Sequence, residues 1–142
     1  YFPGSKRKTE AQIMIFSLQD KLVEKEFLTA KLYYDLGTYT GNASYTADMR
    51  VNGNNYLACI TTAQNALKDY PYTTMREEIS MLLLRAKYQL GSESVLEKKE
   101  ERMREAIDEY YAFKNEFPES KHMKEVESIY KNASKYVKEL NE

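Results

Sequence analysis

Apolar residues recur every three to four positions along the chain, the period of an α-helix with one buried face. Ala11, Ile15, Leu18 and Leu22 form a first stripe, which after Leu22 shifts to Phe27, Ala30, Tyr33 and Leu36 or Gly37. The shift predicts either a break near Glu24 to Glu26 or one long helix that changes partner along its length. Tyr56, Cys59, Ile60, Ala63, Leu67 and Tyr70 mark the next helix, and Ile79, Leu82, Leu83, Ala86 and Leu90 the one after. Met103, Ala106, Ile107, Tyr110, Phe113 and Phe117 follow, then Met123, Val126, Tyr130, Ala133, Val137 and Leu140. No stretch alternates with period two for long enough to form a strand. The expected fold is all-α, with five or six amphipathic helices in antiparallel pairs. Such pairs bury their apolar faces only by stacking on neighbours, the logic of an α-solenoid.

A short pattern repeats between these segments. Phe2-Pro3-Gly4-Ser5, Tyr70-Pro71-Tyr72-Thr73 and Phe117-Pro118-Glu119-Ser120 each read aromatic, Pro, any residue, Ser or Thr. The aromatic closes the core face of one helix, and Pro cannot continue that helix. Ser5, Thr73 or Thr74, and Ser120 are expected to accept free amide protons of the next helix. Thr74 and Glu77 have the spacing of a capping box.

The tetratricopeptide unit has 34 residues in two helices, with small residues at the crossing and Pro after the second helix. Counting back from Pro71, Ala66, Ala63, Cys59 and Tyr56 fall on second-helix core positions, and Tyr33, Leu36 and Gly37 on the first. Counting back from Pro118, Phe113, Tyr110, Ala106 and Met103 do the same, with Leu84 to Gly91 ending a first helix. Each unit carries about ten residues more than the repeat needs. In the first unit the excess falls in the connection Gly41 to Asn54, whose Gly and Asn content is that of turns. In the second it falls at Ser92 to Glu101, where helix-prone residues suggest a longer helix. The whole of 1–142 reads as a single tetratricopeptide-repeat domain, with units at roughly 21–71 and 73–118 and a final helix at 120–140.

Composition narrows the chemistry. The 142 residues contain 21 Lys plus Arg against 22 Asp plus Glu, a net charge of -1. A surface built to neutralise a nucleic-acid backbone is therefore not expected. The longest apolar runs, Ile13 to Phe16 and Met81 to Leu84, are far too short to span a bilayer. Tyr1-Phe2-Pro3-Gly4-Ser5 and the basic residues after it lack the apolar core of a signal peptide. One Cys and one His leave disulfide frameworks, zinc sites and Cys–His pairs without material. Cys59 is expected in the core and His122 on a helix surface. Glu77, Glu78, Glu97, Glu100, Glu101 and Glu105 alternate with Arg and Lys, the pattern of a solvated face paired at three and four residues. There are 13 Tyr, and in the adjacent pairs Tyr33–Tyr34 and Tyr110–Tyr111 one member must point away from the core. No metal, cofactor or catalytic residue is expected, and the chain is not expected to be an enzyme.

Several strings carry a resemblance. Tyr33-Tyr34-Asp35-Leu36-Gly37, Ala63 to Pro71, Asp108 to Phe113, Glu116 to Ser120, and Leu18 to Glu26 resemble the BamD family of outer-membrane assembly lipoproteins. The resemblance corresponds to the C-terminal portion of that family's repeat array. The family's lipid-bearing cysteine and first repeats have no counterpart here, and the insertion at 43–53 departs from its pattern. The resemblance implies a non-catalytic scaffold at the periplasmic face of the outer membrane, held there by a lipid that these residues do not carry. The implied partner is the set of periplasmic POTRA domains of the barrel subunit BamA. The alternative is an adaptor for another cell-envelope protein. First helices line the concave side of a tetratricopeptide unit, and Lys31, Tyr34, Arg85, Tyr88 and Gln89 are the candidate partner-binding residues.

Overall fold

The computed structural model describes residues 6–38 and 54–140. They form five helices: α1 (Lys6–Leu36), α2 (Asn55–Asp69), α3 (Arg76–Ser92), α4 (Leu96–Glu116) and α5 (Met123–Leu140). Among the described residues all regular structure is helical. The Ser5 cap and the insertion at 43–53 lie outside them.

α1 is one unbroken helix, and the first of its two stripes is not core. Ile15, Leu18 and Leu22 are 53%, 58% and 51% exposed, whereas Val23 and Ala30 are buried. The inward row runs through Val23, Phe27, Ala30 and Tyr34. Leu36, expected in the core, is exposed, and Gly37 beside it is buried. Gly37 ends the helix at φ 54°, a left-handed conformation that Gly adopts without penalty. A Cβ there would fall 2.7 Å from the Tyr56 hydroxyl oxygen, so the glycine also serves close approach. α2 then begins at Asn54, whose side chain accepts from the Tyr56 amide at 2.9 Å.

The two aromatic-Pro turns are built alike. Tyr70 and Phe117 donate their amides back to Ala66 and Phe113, at 2.9 and 2.8 Å. Thr73 and Ser120 donate theirs to the carbonyls of Tyr70 and Phe117, at 3.2 Å in both cases. Their hydroxyls accept from the amides of Met75 (3.2 Å) and His122 (3.0 Å), two residues on. These are Ser/Thr turns that precede the helix, not caps at its first residue. The Thr74–Glu77 capping box does not form: α3 has no side-chain cap, and the Glu77 carboxylate accepts from the Ser120 hydroxyl instead.

Consecutive helices run antiparallel, as their contacts show. Lys87 pairs with Glu109 at 2.8 Å, and Arg76, earlier in α3, pairs with Glu116, later in α4. Lys114 of α4 pairs with Glu127 of α5 at 3.0 Å, while Lys99 lies over the ring of Tyr136. α3 also touches both α1 and α5, and α3 and α5 run parallel, joined at Glu78–His122 and Arg85–Glu125. Tyr56 and Met103, Ala63 and Tyr110, Ala66 and Phe113, and Pro71 and Pro118 are all separated by the same number of residues. α2 and α4 are thus equivalent elements, and the excess length after Ser92 lies mainly in the first turns of α4.

Two apolar clusters meet at α3. One joins Val23 and Ala30 of α1, Cys59, Ile60, Ala63 and Ala66 of α2, and Ile79, Leu82, Leu83, Ala86 and Leu90 of α3. The other joins Met81 and Leu84 of α3, Tyr110 and Phe113 of α4, and Val126 and Ile129 of α5. Cys59 is fully buried, and burial pushes its thiol up to about 12. Of the adjacent tyrosines, Tyr110 is 2% exposed and Tyr111 49%. Tyr110 stacks on Tyr130 at 4.2 Å, and the Tyr111 and Tyr130 hydroxyls meet at 3.1 Å.

Candidate functional site

Three of the five candidate residues come together where α1, α3 and α5 adjoin. Tyr34 on α1 lies beside the Gln89 side chain on α3 and near the Arg85 guanidinium. Arg85 holds Glu125 of α5 in a two-pronged pair, Nε to Oε1 and Nη2 to Oε2 both at 2.7 Å. The planar fork of Arg fits a carboxylate in this way, which fixes geometry as well as charge. The pair holds the Glu125 carboxyl below its ordinary range and raises Arg85 further, opposed in both cases by partial desolvation. Burial raises the Tyr34 hydroxyl, so the phenol stays protonated and available as a donor.

The row continues along α3 to residues that sequence reasoning placed elsewhere. His122 is not a bare surface residue: its side chain is 18% exposed, and Nε2 lies 3.1 Å from Glu78 Oε1. Lys121 Nζ approaches the same oxygen at 3.3 Å. Hydrogen bonding from His122 is the main cause that lowers the Glu78 carboxyl, with Lys121 adding to it. Glu77 and Glu78 therefore reach across to Ser120, Lys121 and His122, while Glu100–Arg104 at 2.7 Å is the within-helix pair the charge pattern implied. At the other end Tyr56 meets Tyr34 edge to face at 5.7 Å. Burial and, behind it, the nearby Glu93 carboxylate raise the Tyr56 hydroxyl.

The other two candidates sit apart. Tyr88 is half-buried and packs against the α3–α4–α5 cluster. Lys31 is exposed and joins none of the hydrogen bonds or ion pairs of the row. His122, Glu78 and Glu125 carried no signal at the level of a single stripe. Their signal was the aromatic-Pro-x-Ser turn, which sets the start of α5 beside the first turn of α3.

The row is nearly charge-balanced. Arg85 and Lys121 oppose Glu78 and Glu125, with His122 adding charge only when protonated. Its charged groups are committed to one another between α3 and the start of α5, beside two half-buried tyrosine rings. Such a surface suits protein recognition by shape and aromatic area rather than by long-range attraction. Among the described residues no group of three or more His, Cys, Asp or Glu could hold a metal ion, and no helix is long and apolar enough to cross a membrane. Comparison with protein-family models and with curated proteins finds no match.

Proposed function

We propose that the chain is a tetratricopeptide-type scaffold that binds another protein on the face shared by α1, α3 and α5. Several features support the repeat reading. Alternate helices are parallel, two turns share one hydrogen-bond pattern, and Gly37 and Gly91 are each closely approached by equivalent residues, Tyr56 and Met103. The observation that carries the binding reading is the row Tyr34, Gln89, Arg85, Glu125, which spans three helices and in which the two-pronged pair with Glu125 fixes the Arg85 guanidinium in advance. Preordered aromatic and Arg side chains lose little entropy when a partner docks. By its resemblance to BamD, the partner is the POTRA region of BamA, at the periplasmic face of the outer membrane, where the scaffold aids assembly of β-barrel proteins. An adaptor for a different envelope protein is the alternative.

A titration of the chain with purified POTRA domains tests both parts. Tyr34→Ala and Arg85→Ala are each expected to weaken binding by at least about 1 kcal/mol, with unchanged circular dichroism. The charge balance of the row makes the affinity change little with salt. Unchanged affinity in both variants moves the site off this face. A parent chain that does not bind removes this partner in favour of the alternative.

A further inference from the structure

α1 carries two exposed apolar triplets away from its inward row: Ile15, Leu18 and Leu22 at spacings of three and four, and, six residues on, Leu28, Leu32 and Leu36 at spacings of four. All six are exposed, Leu28 and Leu32 at 55% and 58%. The molecule itself shows what belongs there. Gly37 and Gly91 are equivalent, because a Cβ on either meets the matching residue of the next helix: the Tyr56 hydroxyl oxygen at 2.7 Å and Met103 Sδ at 3.1 Å. Aligning α1 with α3 on these glycines matches Phe27, Ala30 and Tyr34 with Met81, Leu84 and Tyr88. Each triplet packs with the helix that follows it in the chain.

The same alignment matches Leu28, Leu32 and Leu36 with Leu82, Ala86 and Leu90. Those α3 residues are 4%, 0% and 3% exposed, in the cluster that α2 supplies from the preceding pair. We propose that the outer row of α1 is a stacking surface for the second helix of another tetratricopeptide-type helix pair, seated on α1 as α2 is seated on α3. The row continues an interface already built once in this molecule. Its chemistry defines the occupant. α2 brings Cys59, Ala63 and Ala66, small buried residues between Tyr56 and Tyr70, into the cluster it shares with α1 and α3. Where α3 has Ala86, α1 has the larger Leu32, so the occupant needs small residues at its crossing. From Leu28 to Leu36 the row is about 12 Å long at 1.5 Å per residue, a little over two turns of the occupant's helix.

Among the described residues a second copy of the chain offers no free second helix, since α2 lies between α1 and α3, and α4 between α3 and α5. The inference rests on the tandem-pair reading above but not on its groove: Leu28 and Leu32 belong to the outer row, Tyr34 and Arg85 to the groove.

The test is a titration of the full chain with a two-helix consensus tetratricopeptide hairpin that has alanines at the crossing positions of its second helix. Saturable one-to-one binding is expected, weakened at least about tenfold by Leu28→Asp combined with Leu32→Asp. Because both leucines are exposed, that variant keeps its helix content, which circular dichroism verifies. Tyr34→Ala with Arg85→Ala leaves hairpin binding unchanged. Failure to bind, or binding indifferent to the two leucines, overturns the inference. So does a parent chain that sediments as a dimer dissolved by the leucine substitutions, which would make a second copy the occupant. Loss of POTRA binding alone counts against the groove and leaves the stacking surface standing.

Discussion

Two runs of four apolar residues lie in this chain, one in α1 and one in α3. Ile13, Met14, Ile15 and Phe16 are 62%, 66%, 53% and 60% exposed; Met81, Leu82, Leu83 and Leu84 are 0%, 4%, 3% and 0%. Four consecutive residues point to all sides of a helix, so such a run is buried only when neighbours close on every side. α3 has those neighbours: α1, α2, α4 and α5 all touch it. Among the described residues α1 has them on one side only. Apolar patterning thus reports the capacity of a helix to be covered, and its position among the other helices decides how much of that capacity is used.

The sharpest break of this comparison is truncation at matched depth in the two helices. Leu84→Ala is expected to cost about 2–5 kcal/mol in denaturant unfolding, from lost burial plus a cavity. Leu28→Ala on the outer row of α1 is expected within about 0.5 kcal/mol of the parent. Similar losses would mean that α1 is covered on both sides in solution. Overpacking probes the crossing of α2. Ala63 is 1% exposed, so Ala63→Leu is expected to cost about 1–3 kcal/mol, against little for the exposed Ala112→Leu. Gly37→Ala combines a left-handed backbone with a collision at Tyr56, and about 1–2 kcal/mol is expected, read from the same curves.

The smallest effect is in acid, at the seam between α3 and α5. Glu78 and Glu125 both have lowered carboxyls in the folded chain. A lowered folded value means the contribution is complete above the ordinary value of 4.5 and lost as pH falls through the lowered one. Both side chains are more than a third exposed, so solvent screens the pairs and the joint effect is of order 1 kcal/mol or less. Glu78→Gln with Glu125→Gln is expected to flatten stability against pH below about 4.5. An unchanged acid slope would show that the seam is held by Val126 and Ile129 alone.

Helix number, type and most inward residues were legible because α2, α4 and α5 each face a core along one stripe. Ala63, Phe113 and Val126 all lie where the 3.6-residue period puts them. α1 misled because two stripes compete there. Ala11, Ile15, Leu18 and Leu22 make the cleaner pattern, yet Val23 and Ala30 are the buried ones, and a single chain's pattern does not say which face has a neighbour. The candidate row was half legible. Tyr34, Arg85 and Gln89 meet because α1 and α3 lie side by side, while His122 and Glu125 enter from the turn and helix some forty residues on, a pairing that no local spacing encodes.

α3 is the one described helix that touches all four others, while α1 and α2 meet nothing beyond it in the principal contacts. Such a chain opens in stages, from its two ends toward the middle. Amide protons of α3 then exchange with solvent only when the whole unit lets go, whereas the exposed first turns of α1 exchange by fraying. A partner seated, as proposed, on the face of α1, α3 and α5 would tie α1 and α5 to the slowest-opening helix, and its binding energy would then appear as slower exchange at both ends of the molecule, far from the residues it touches.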